Sequence, residues 1–110
     1  MGDTNYFSGI VKLLENPTQS FIKNQTLTTT CQVEIPQIRQ NKSVLLVFWG
    51  SLAQEVKNYY QINDYLLIEG YVSIKENKSN FVSNNSKKII ITVLKVSPFL
   101  LKSHLQMRKN

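Results

Sequence analysis

The chain has a single cysteine, Cys31, so neither an internal disulfide nor a thiol-based zinc cluster can be built from it. It has one histidine, His104, close to its end, and seven acidic residues that form no recognisable acid-base or metal constellation. These shortages argue against an enzyme and against a resident metal or cofactor. No stretch approaches the roughly 20 apolar residues of a membrane span. The opening MGDTNYFS lacks the basic start and apolar run of a signal peptide, and Tyr6 stands where a myristoylation motif wants Ser or Thr. A soluble intracellular protein with no membrane partner is therefore expected. Internal repeats and dividing linkers are also missing. Glycine and alanine are scarce while Asn, Lys and Ile abound, a bias expected of a chain encoded by AT-rich DNA such as an organelle genome.

What is present suffices for one domain. The chain has 110 residues, 42% of them hydrophobic and 18% charged, which is enough to form a core and too little charge for a disordered segment. Its net charge of +6 is unevenly placed. Residues 1–38 carry two Lys against three acids, and residues 39–76 four basic against four acidic side chains. From Asn77 onward there are seven Lys or Arg and no acid, so the last third holds the whole excess. Such asymmetry suits a polyanionic partner, with simple solubility as the plain alternative.

The order of elements is legible from patterning. Residues 5–14 read as a first strand with a bend at Gly9, ended by Asn16-Pro17. Residues 18–25 read as a polar connection. From Leu27 to Ile35 apolar or small residues alternate with Thr28, Thr30, Gln32 and Glu34, which predicts a half-buried strand with Cys31 inward. Ser43–Trp49 is continuously apolar and predicts a third strand covered on both faces. Ser51 and Gln54 have the spacing of a capping box, so a short helix is expected from Gly50 to near Asn63, burying Leu52, Val56 and Tyr59 or Tyr60. In the fourth strand Leu66, Ile68, Gly70, Val72 and Ile74 form an inward row, and Tyr65, Leu67, Glu69, Tyr71, Ser73 and Lys75 face out. Gly70 within it predicts a sharp coil or a close backbone approach. Residues 76–88 read as an exposed loop, and Ile89–Val96 as a fifth strand that Ser97-Pro98 stops. Five strands with one helix between the third and fourth is the order of an OB-fold, an all-β, five-stranded barrel that binds oligonucleotides on one face. The domain is expected over residues 1–98, with 99–110 as a short basic tail.

Within this frame the phrase VFWGSLAQEVKNYYQINDYLLIEGYV resembles the single-stranded DNA-binding protein family, most closely its short cyanobacterial and algal-plastid variants. Trp49, Gly50, Leu52, Ala53, Gln54, Glu55, Tyr60, Asp64, Ile68, Glu69 and Gly70 carry the resemblance. It implies non-enzymatic coating of single-stranded DNA, in support of replication and repair, by aromatic stacking and by Lys or Arg against phosphate. Trp49 coincides with a family stacking position. Tyr71 and Lys75 on the outward face of strand four, and Lys78, Phe81, Lys87 and Lys88 in or beside the basic loop, complete the expected nucleic-acid-binding set. The chain departs from the family where Ser43 and Leu45 stand in place of a stacking Trp and an Arg. A basic end, Gln106 to Asn110, stands where the bacterial members carry an acidic tail, so recruitment of repair enzymes by that route is not expected. The resemblance implies a homo-oligomer and a location in the plastid stroma or, alternatively, the bacterial cytoplasm. Two other readings stay open at this point: an RNA-binding or primosome-type OB module, and an oligomerisation or protein-interaction subunit.

Overall fold

A computed structural model describes residues 5–22, 25–36, 44–76 and 87–101. Its elements in chain order are β1 (Tyr6–Leu13), β2 (Thr18–Ile22), β3 (Thr26–Glu34), β4 (Val44–Trp49), α1 (Gly50–Tyr59), β5 (Tyr65–Glu76) and β6 (Lys87–Leu100). The strands hydrogen-bond in the order β1-β5-β6-β4-β3-β2. A further pairing of β1 with β3, through Lys12–Glu34 and Leu13–Val33, closes β1, β5, β6, β4 and β3 into a ring. β4 and β6 run parallel; the other described pairs are antiparallel. The result is a five-stranded OB-fold barrel with one helix between its third and fourth barrel strands.

Alternation decides the interior. Val11, Leu13, Cys31, Val33, Val44, Leu46, Phe48, Leu66, Ile68, Ile91 and Val93 fill the barrel. Ala53, Val56 and Tyr60 of the helix segment close one end of it. The buried Thr29 hydroxyl donates to the Ala53 carbonyl at 2.7 Å, which ties helix to strand and satisfies that hydroxyl in the core. Cys31 is buried as its inward parity requires; burial raises its thiol pKa to about 12, so it stays protonated and a poor nucleophile.

The structure corrects several local expectations. Residues 18–22 are not a connection but strand β2, paired with β3 from Thr18–Thr30 to Ile22–Thr26. Their pattern hid this because most of β2 is exposed, so no apolar alternation was required. The capping box is not formed. Gly50, at φ +64, turns the chain straight from β4 into α1, so Trp49 is the N-cap and makes no side-chain cap bond, and Ser51 already lies inside the helix. The helix stops at Tyr59 rather than near Asn63; the Asp64 carboxylate accepts from the Gln61 backbone N–H at 2.9 Å in the turn that follows. Tyr60, not Tyr59, packs inward. Strand β4 is fully covered on one face only, with Leu45 and Val47 half-buried on the other. Pro98 does not stop β6, which continues to Leu100. Past Thr92 the described pairing with β4 has ended, so β6 has strand partners on one side only, where a residue without an N–H is tolerated.

Gly70 behaves as its placement in a strand predicts. A Cβ there would overlap the Thr92 carbonyl oxygen and lie 2.9 Å from its carbon. The close approach coincides with a register shift: Glu69 pairs with Lys95 and Gly70 with Val93, leaving Leu94 as a bulge. Among the described residues β1 pairs with β5 only as far as Tyr71, so Ile74, beyond that end, is 61% exposed although it continues the inward row; past Val44–Ile89, where the pairing of β4 with β6 ends, β5 and β6 continue together as a two-stranded arm. No helix among the described residues is long and apolar enough to cross a membrane.

A contrast of two glycine substitutions tests this contact. Gly70→Ala has to displace backbone and should cost on the order of 2 kcal/mol or more. Gly9→Ala meets only the movable Phe7 ring and should cost clearly less. Urea denaturation of the two variants reads the difference; equal midpoints would show that the Gly70 approach is not constraining.

Candidate nucleic-acid interface

The outer face of the barrel follows from the same register. Val47 of β4 lies between Thr30 of β3 and Thr92 of β6; Thr92 lies opposite Tyr71 of β5, and Tyr71 opposite Tyr6 of β1. One row therefore crosses the sheet as Thr30, Val47, Thr92, Tyr71, Tyr6. A parallel row toward the arm holds Gln32, Leu45, Ile90 and Ser73. On the arm itself Lys75 and Lys88 are direct partners, both exposed. Trp49 stands two residues beyond Val47, opposite Thr28, and is 43% exposed. It stays at the surface because its own backbone is extended and Gly50 then turns the chain away.

Trp49 and Tyr71 thus belong to one surface, separated by two inter-strand spacings, roughly 10 Å, and one pleat repeat along the strand, about 7 Å. Tyr71 is 52% exposed and meets Tyr6 edge-on, with ring centroids 5.8 Å apart and planes at 71°. The Tyr6 hydroxyl donates to Glu69 Oε1 at 2.5 Å. That hydrogen bond, with partial desolvation and the charge of Glu69, raises the Tyr6 pKa, so at neutral pH the phenol adds no negative charge to the face. At the end of β1, the Lys12 ammonium lies 5.9 Å from the centre of the Tyr65 ring.

Of the residues expected from sequence, Trp49, Tyr71, Lys75 and Lys88 come together on this face. Lys87 is a register position in β6 opposite Glu76, and Lys78 and Phe81 lie outside the described residues. Two residues of the face were not expected. Tyr6 is 49% exposed beside Tyr71; it shares its parity with Ser8, Ile10 and Lys12, so alternation across Gly9 would have placed it. Lys95 is exposed and pairs with Glu69. Strict alternation from Ile91 and Val93 sends Lys95 inward, and only the bulge at Leu94 returns it to the surface.

The face combines three exposed aromatic rings, half-buried aliphatic side chains and ammonium groups. Lys75 against Lys88 is a like-charge pair, unfavourable when left alone and relieved by an anion between them. Among the described residues no group of three or more His, Cys, Asp or Glu could hold a metal ion.

No protein-family model matches the chain. A curated relative from Trieres chinensis, named "Putative single-stranded DNA-binding protein ycf41", is 38% identical over 104 residues, spanning 90% of this chain and 92% of the relative. Among solved structures, the small single-stranded DNA-binding protein of Streptomyces coelicolor superposes with a TM-score of 0.76 at 7% identity, over 90% of this chain and 97% of that one. The SSB domain of a Synechococcus protein gives 0.66 at 23% identity, over 87% and 97%. The second single-stranded DNA-binding protein of Mycobacterium smegmatis gives 0.61 at 17%, over 87% and 89%. These structures share the barrel; the family rests on the curated relative, whose identity extends over nine-tenths of the chain. By that measure the chain belongs to the single-stranded DNA-binding protein family.

Proposed function

We propose that the chain binds single-stranded DNA with little sequence preference, across the outer face that carries Trp49, Tyr71, Lys75 and Lys88. The observation that carries this reading is the placement of exposed aromatic rings and the Lys75–Lys88 pair on one continuous sheet face. Each base offers a π-face to an aromatic ring, at ~1–3 kcal/mol per stacked base, which favours any sequence alike. Phosphates between the bases would relieve the lysine pair, and each neutralised phosphate releases counterions. Lys78, Phe81 and Lys87 are proposed as further contacts on the strength of the sequence alone. Leu45 and Val47 offer the aliphatic floor on which sugars and base edges rest, in place of the charge and ring that the family pattern carries near there.

The role that fits is protection of exposed strands during replication and repair. A plastid stroma is the proposed location, supported by the organelle-like composition and by the algal relative. The DNA reading is preferred to RNA because the relative and the solved structures are all named for single-stranded DNA. Self-association is proposed as well, since Phe21, Leu94 and Phe99 are exposed apolar side chains; a solution mass at a multiple of 12.7 kDa is its readout.

Titration with an oligo-dT should quench Trp49 fluorescence, and binding should weaken with salt at a log-log slope of about −0.7 per phosphate contacted. No binding at low salt would overturn the proposal. Reversing the charge of Lys75 and Lys88 together should lower affinity for all sequences alike and flatten the slope by about 1.4, two contacts' worth. A slope that does not change would remove the pair from the interface.

A further inference from the structure

The outer face also carries a carboxylate that general phosphate binding does not account for. Glu69 lies on the same face as Tyr71, two residues before it on β5, with Ser8 of β1 on one side and Lys95 of β6 on the other. One of its oxygens accepts from Tyr6; the other has no hydrogen bond to any described residue. A negative charge at this place disfavours phosphate and suits a base edge or a sugar, with the backbone toward Lys95, the cross-strand partner of Glu69.

We propose that Tyr71, Glu69 and Tyr6 form a base-reading position that prefers guanine, an inference that rests on the single-strand reading above. A base stacked on Tyr71 presents its Watson–Crick edge to the neighbouring carboxylate, and an unpaired strand leaves that edge free. Ionised carboxylate is an acceptor only, with two oxygens side by side. Guanine meets it with two adjacent donors, N1–H and the N2 amino group. Thymine offers a single N3–H flanked by two carbonyl oxygens, which the carboxylate repels. Cytosine and adenine present one amino donor beside a ring-nitrogen acceptor. Two charge-assisted hydrogen bonds are stronger than their neutral counterparts, so the position separates bases where stacking alone does not. Tyr6 acts as a positioning residue: its ring fixes the Tyr71 plane from the edge, and its hydroxyl holds one carboxylate oxygen in place.

The test compares three oligonucleotides of one length: all-dT, dT with one central dG, and dT with one central deoxyinosine, which keeps N1–H and lacks the N2 amino group. The wild-type chain is expected to bind the dG oligonucleotide about tenfold tighter than all-dT, with deoxyinosine between them. Glu69→Gln should abolish the dG preference while still binding all-dT, because the amide pairs one donor with one acceptor. Tyr6→Phe, which keeps the ring and loses the hydroxyl that holds Glu69, should lower the dG to dT ratio. Circular dichroism confirms that each variant is folded. Equal affinities for the three oligonucleotides in the wild type, or a dG preference that survives Glu69→Gln, would overturn the inference and leave single-strand binding intact. Failure to bind any of the three would overturn the single-strand reading itself.

Discussion

The contact on which the rest of the molecule depends is the approach of Gly70 to the backbone of Thr92 and Val93. Two long strands, β5 and β6, have to coil around one another if a five-stranded sheet is to close. Closure brings their backbones nearer than a Cβ would allow. The same place absorbs one extra residue, Leu94, as a bulge. From there the consequences run outward. The bulge reverses the parity of β6, so Val96 turns toward the core and Lys95 toward the outer face beside Glu69. Before the bulge, the undisturbed register holds Thr92 against Tyr71 and Val47, which makes the aromatic row continuous.

That architecture explains which parts were legible from the amino-acid order. Gly50 and Gly70, the inward row of β5 as far as Val72, and the alternation from Leu27 to Ile35 each obey one local rule, and the chain order of five strands with one helix pointed to the barrel. Trp49 was singled out by the family resemblance, and the structure leaves it exposed at the end of β4. The features that escaped were those that depend on partners distant in sequence. β2 has no alternation of its own and exists because β3 offers an edge. Lys95 cannot be placed without the bulge. Tyr6 becomes part of the face only when β1 lies beside β5, across 65 residues of chain. Ser51 looks like a cap, yet the positive φ of Gly50 starts the helix before it.

The face is less charged and more apolar than a phosphate-binding surface alone requires. Leu45 and Ile90 flank the aromatic row, Lys75 and Lys88 lie on the arm at one end, and Lys95 lies on the other side of the row beside Glu69. Beneath the row, Cys31 is buried in the barrel and α1 closes one end of it.

The most direct measurement is a map of backbone amide chemical shifts as an oligo-dT is added to the isotope-labelled chain. The largest changes are expected at 45–49, 69–75 and 90–95, with Tyr6 and Ser8 following and α1 and β2 unmoved. Changes centred on α1 or β2, with the aromatic row silent, would contradict it.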